Sequence, residues 1–157
     1  MTKKILIFRR GSIGDAVVSI PALNVIETEY KDCELRILTN TPIQGAAAPI
    51  QAMLGETNFV QGYFSAPPGG GGLAFIQSLR NKISGWGPKT LIYLSEPSKR
   101  LSMIREYLFF RSCGIHSFVG MPFCRSKRIY LKSPNNLWES EAHRLVRSIS
   151  PDNNDKL

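Results

Sequence analysis

Residues 9–15 read RRGSIGD: two guanidinium groups, a hydroxyl and one carboxylate within seven positions, separated by two glycines. Gly11 and Gly14 allow tight turning and close approach of a ligand to the backbone. Free N–H groups where a helix begins favour an anion. Asp15 stands there, and the field of the helix start favours its ionised form. A carboxylate so placed could take a proton from an attacking group. It could equally do no more than cap the helix. Ser12 either offers a hydrogen bond to a substrate or closes the turn. The loop lacks the GxGxxG of a dinucleotide site and the Gly-Lys-Ser/Thr of a P-loop.

The elements that must hold this loop follow an α/β alternation. Lys4–Phe8 is expected as a first strand and Gly11–Gly14 as a turn. A helix starts at Gly14 or Asp15 and runs to about Tyr30, with a kink or an irregular first turn at Pro21, which lacks a backbone donor. Glu34–Leu38 reads as strand two, Ala46–Leu54 as a helix and Phe59–Tyr63 as strand three. APPGGGG at 66–72 reads as a mobile loop, since four consecutive glycines are entropically costly to order. Leu73–Ser84 is a helix and Lys89–Leu94 a strand. Ser98–Cys113 is an amphipathic helix with Leu101, Ile104, Leu108 and Phe109 as its apolar face. Ser117–Gly120 is strand five, Arg125–Leu131 a further strand or extended segment, and Leu137–Ile149 the last helix. Alternating strands and helices imply a Rossmann-like, doubly wound parallel sheet. Residues 1–149 form one domain and 150–157 a polar tail.

Composition narrows the class. The 157 residues are 43% hydrophobic, enough for one packed domain. Twenty Lys and Arg against twelve Asp and Glu give a net charge of +8, which suits phosphates on a nucleotide, a sugar, a lipid or a nucleic acid. The basic residues are dispersed and no common nucleic-acid-binding motif occurs, so no nucleic-acid partner is expected. Cys33, Cys113 and Cys124 are too few and too irregular for a disulfide framework or a zinc site, and no metal is expected. His116 and His143 read as structural or surface residues, Trp86 and Trp138 as packing residues. No apolar run reaches the ~18 residues that cross a bilayer. MTKKILIF has too short an apolar run for a signal peptide, so a cytoplasmic location is expected.

KKILIFRRGSIGDAVVSIPALNVIETEYKDCELRILTN resembles the start of glycosyltransferase family 9, the ADP-heptose–lipopolysaccharide heptosyltransferases and their relatives. KTLIYLSEPSKRLSMIREYLFFRSCGIHSFVGMP is similar to a later block of that family, and WESEAHRLVRSI to the helix closing its N-terminal domain. The resemblance spans about residues 3–149, and GSIGDAVVSIPAL is its most specific part. It implies the N-terminal half of a GT-B fold, two Rossmann-like domains facing across a cleft. It further implies inverting transfer from a nucleotide-sugar donor such as ADP-heptose, with no cofactor and no obligatory metal, onto a lipopolysaccharide core or related glycan. Asp15 matches the family's proposed general base. Arg9 and Arg10 then become candidate contacts for acceptor phosphates, with Gly11, Ser12 and Gly14 in the same loop. Lys99, Arg100 and Arg105, just after strand KTLIYL, are candidate anion contacts.

The sequence departs from the family in length. It stops where the donor-binding C-terminal domain should begin, so transfer by this chain alone is expected to be poor or absent. The missing half, the inner face of the cytoplasmic membrane and the glycan acceptor are the expected partners. A non-catalytic Rossmann-like nucleotide- or anion-binding protein is the alternative reading.

Overall fold

Ile5, Leu6, Ile7 and Phe8 are all buried, as they must be in a parallel strand covered on both faces. The computed structural model describes residues 2–40, 49–55, 57–67, 71–96, 99–123 and 125–150. Five strands, β1 (Lys3–Phe8), β2 (Cys33–Asn40), β3 (Gly62–Ala66), β4 (Thr90–Tyr93) and β5 (Ser117–Val119), form one sheet in the order β3-β2-β1-β4-β5. Every pairing is parallel, with Leu6 opposite Arg36 on one side and Leu91 on the other. This is the Rossmann-like α/β sheet that the strand–helix alternation implies.

Alternation along β1 divides the core in two. Leu6 and Phe8 join Leu38, Phe64, Leu91 and Tyr93 under α4 (Leu73–Trp86) and α5 (Arg100–Ser112). Ile5 and Ile7 join Leu35, Ile37, Ile92 and Leu94 under α1 (Ile13–Val18), α2 (Ile20–Glu29), α3 (Pro49–Leu54) and α7 (Glu141–Ile149). The short α6 covers Arg125–Arg128. Cys113 is buried and Cys33 half-buried. Trp86 belongs to the core, and its Nε1 donates to Glu34 Oε1 at 2.8 Å.

Several boundaries differ from the sequence expectation, each for a local reason. The first helix begins at Ile13, because Ser12 and not Asp15 is the N-cap. It breaks at Ser19, whose N–H turns to the carbonyls of Asp15 and Ala16. Pro21 therefore sits in the first turn of α2, where no donor is needed. Strand β3 lies at Gly62–Ala66 and not Phe59–Tyr63: Gln61 instead ends the approach, its Oε1 accepting from Leu35 N at 2.7 Å. The helix expected from residue 46 is described from Pro49 only, and residues 68–70 of the glycine-rich stretch lie outside the described residues.

The apolar face of α5 is the largest correction. Met103 and Phe110 are buried and Tyr107 half-buried, while Leu101, Ile104 and Leu108 face outward. Aromatic packing selects the buried row: Phe110 meets Phe8 edge-on with centroids 5.2 Å apart, and Tyr107 meets Phe118 at 4.8 Å. Of the expected face only Phe109 packs inward.

The segment Arg125–Leu131 is no strand; it begins with α6 and continues to a lone antiparallel bridge, Lys132 to Trp138. Trp138 is exposed, with the Lys132 ammonium 4.6 Å above its ring, so it does not pack in the core. The last helix begins at Glu141 because Ser140 caps it, its side chain accepting from His143 N. Buried Arg144 pairs with both oxygens of Glu141 at 2.6 Å and donates to Lys127 O, tying the segment to α7. Arg147 does the same from Glu139 to Ile129 O.

Candidate active site

With β1 between β2 and β4, the helices after β1 and β4 cover opposite faces of the sheet. The gap between the carboxyl ends of those two strands is the switch point at which open α/β sheets bind ligands. The turn RRGSIGD starts there. Arg9 N donates to Leu38 O at 3.0 Å, Arg10 N to Ser95 Oγ at 3.0 Å, and Asn40 Nδ2 to Gly11 O at 2.9 Å. The ends of β1, β2 and β4 are thereby fastened to one another. Asn40 and Ser95 carry no signal in the sequence; their part becomes visible only once strand order is known.

Asp15 occupies the third position of α1. Its Oδ2 accepts from Ser12 N at 2.6 Å and from Ser12 Oγ at 2.8 Å, while Asp15 N donates to Ser12 Oγ at 3.4 Å. This reciprocal capping box ties down the helix start. The hydrogen bonds from Ser12 hold the carboxyl below the ordinary carboxylate range, against a smaller opposing effect of partial burial. Asp15 is thus ionised at neutral pH. Its Oδ1 is 4.0 Å from the Arg9 guanidinium, and the side chain remains 36% exposed.

Arg9 is 2% exposed, among the most deeply buried side chains described. Nη1 donates to Leu94 O at 2.7 Å, and Nη2 donates to the Asp15 carbonyl. Burial pulls this guanidinium down, opposed by the charges of Asp15, Glu141 and Glu96. Arg9 is therefore a brace between the β4 end and the helix start, and among the described residues its Nε finds no hydrogen-bond partner. Gly11 (φ +141°) is required: a Cβ there would collide with the Asp15 side chain. Gly14 is not; a Cβ would meet only Ser12 Oγ at 3.7 Å.

The remaining candidates separate. Alternation sends Arg10 to the α4/α5 face, where its guanidinium lies 5.6 Å from the Phe8 ring centroid and lines a cavity with Arg105. Lys99 and Arg100 are exposed at the start of α5. The structure brings Arg9, Gly11, Ser12, Gly14 and Asp15 into one turn, and Arg10 and Arg105 into another site across the sheet edge. Among the described residues no group of three His, Cys, Asp or Glu side chains could hold a metal, and no helix is long and apolar enough to cross a membrane.

No protein-family model and no curated protein matches the sequence. Solved structures do match the fold. A glycosyl transferase family 9 structure from Veillonella parvula DSM 2008 superposes with a TM-score of 0.65 at 12% identity, covering 98% of this chain and 44% of that one. E. coli heptosyltransferase WaaC, in a structure with ADP, superposes with a TM-score of 0.56 at 11% identity, covering 93% of this chain and 46% of that one. The chain has the fold found in these glycosyltransferases and spans less than half their length.

Proposed function

We propose that the chain is the acceptor-side, N-terminal-type domain of an inverting glycosyltransferase, with Asp15 as general base. One observation carries the reading: an ionised carboxylate is held at the switch point of the sheet, with one oxygen bonded to Ser12 and the other partly free. In an inverting transfer the acceptor hydroxyl attacks the anomeric carbon, the bond to the nucleoside diphosphate breaks, and the proton passes to the base. One carboxylate is enough, because the diphosphate leaves without protonation. A positioned base contributes about 10²–10⁴-fold.

The likeness to GT-B structures and the GSIGD turn favour ADP-heptose or a similar nucleotide sugar as donor, and a lipopolysaccharide core or related glycan as acceptor. The net charge of +8 favours an anionic acceptor and the anionic inner face of the cytoplasmic membrane. Donor contacts belong to a second domain, so the chain alone turns over poorly or not at all.

Calorimetry tests the reading. The chain should bind a phosphorylated core oligosaccharide and bind ADP weakly. In an assembly that restores transfer, Asp15→Asn keeps an oxygen for Ser12 N but loses the base, so kcat should fall about 10²–10⁴-fold with little change in Tm. Tight ADP binding without glycan binding would favour the non-catalytic nucleotide-binding alternative. Undiminished kcat in Asp15→Asn would leave Asp15 as a cap alone.

A further inference from the structure

We propose that the cavity between α4 and α5 binds the apolar chain of a phosphate-headed membrane lipid. It is an open cavity of about 520 Å³, within the range of small-molecule sites. Its floor is the ends of three strands, Phe8, Leu38 and Ala66; Ile76 and Leu79 of α4 and Phe109 of α5 are among its walls. Arg10 and Arg105 also line it, and neither has an ion-pair partner among the described residues. Glu106 lines it too, its Oε2 accepting from Tyr93 OH at 2.9 Å, so the charged groups sum to one positive charge.

The lining selects the ligand. Two guanidinium groups lining one cavity suit a phosphate. With Arg10 and Arg105 on the phosphate, a nucleobase would bring ring nitrogens and amino groups into walls whose other polar side chains are Ser102 and Glu106, and unmatched polar groups are costly to bury. An alkyl chain has no such need. A second observation fixes the source. Leu101, Ile104 and Leu108, exposed by 71%, 49% and 60%, form one row on α5 that meets the cavity at Leu108, with Lys99, Arg100 and Arg105 beside them. An exposed apolar row among cations suits the surface of an anionic bilayer. The cavity lies across the sheet from Asp15, so this inference does not rest on the role proposed for Asp15.

Calorimetry on the whole chain, with butyl, octyl and dodecyl phosphate below their micellar concentrations, tests it. Affinity should rise with chain length, with inorganic phosphate and ADP at least tenfold weaker than dodecyl phosphate. Arg105→Gln, at an exposed position, should weaken dodecyl phosphate about tenfold with the fold intact by circular dichroism; Ile76→Glu, at a half-buried wall position, should abolish binding. Equal affinity for inorganic and dodecyl phosphate, tighter binding of ADP, or an unaffected Arg105→Gln would overturn the proposal. Phosphatidylcholine vesicles containing phosphatidate should co-sediment the chain, and dodecyl phosphate should release it. Binding of dodecyl phosphate without co-sedimentation would overturn the membrane source.

Discussion

The carboxylate of Asp15 lies over the Cα of Gly11, in the space that a side chain at position 11 would fill. The two residues therefore specify each other. A Cβ at Gly11 would stand 2.8 Å from both Cβ and Cγ of Asp15, and φ is +141°, where L side chains are strained. Gly11→Ala should destabilise the domain by about 1–3 kcal/mol. At this size that is a fall in Tm of about 2–4 °C for each kcal/mol, readable by circular dichroism.

Ser12 sets the titration of Asp15. Because its hydrogen bonds lower the folded pKa, the carboxylate's stabilising contribution is complete above the ordinary carboxylate range and is lost as pH falls through the lower, folded value. Ser12→Ala removes the cap, so stability at neutral pH should drop by about 0.5–2 kcal/mol. The Asp15 titration followed by carbon NMR should move upward in the variant. An unmoved titration would show that the Ser12 hydroxyl does not contribute and that the N–H at position 12, which the variant keeps, holds the carboxyl down by itself.

Arg9→Met should be far more costly than a surface charge deletion. It removes the side-chain donor to the Leu94 carbonyl beside a core strand and one of the two donors to the Asp15 carbonyl, which keeps Ser19 N. Each unsatisfied acceptor costs about 1–3 kcal/mol. Urea denaturation should show a lowered midpoint with an unchanged slope. Arg9→Lys should recover only part of the loss, since one ammonium cannot reproduce the fork.

Arg144→Met should loosen the segment from 127 to 139. The guanidinium is buried, holds both oxygens of Glu141 and donates to Lys127 O. Removing one partner of a buried pair costs about 3–5 kcal/mol. Limited trypsin digestion should cut at Lys127, Arg128 or Lys132 sooner in the variant than in the parent.

Much of the fold was legible without coordinates. The runs ILIF and TLIY are buried on both faces, as only central parallel strands are, and their alternation with amphipathic stretches implies crossover helices. The turn RRGSIGD was legible too, since two glycines and a carboxylate at a helix start constrain the chain locally, although the cap is Ser12 and not Asp15. The outward row of α5 was not. That helix carries more apolar residues than one stripe can hold, and Phe8 and Phe118, brought up by β1 and β5, decide which row is buried.

The sequence by itself determined the alternation of strands and helices and the turn at Gly11–Gly14, because these depend on neighbours a few residues apart, and the alternation in turn implied parallel pairing; that Ser12 and not Asp15 caps α1 came from the structure. Only the tertiary structure decided the fates of the basic pair. Arg9 and Arg10 are adjacent and chemically identical, yet strand alternation sends one into the interior between Leu94 and Asp15 and the other to the cavity with Arg105. That assignment depends on which faces α1 and α5 cover, and so on the order of strands 85 residues apart in the chain.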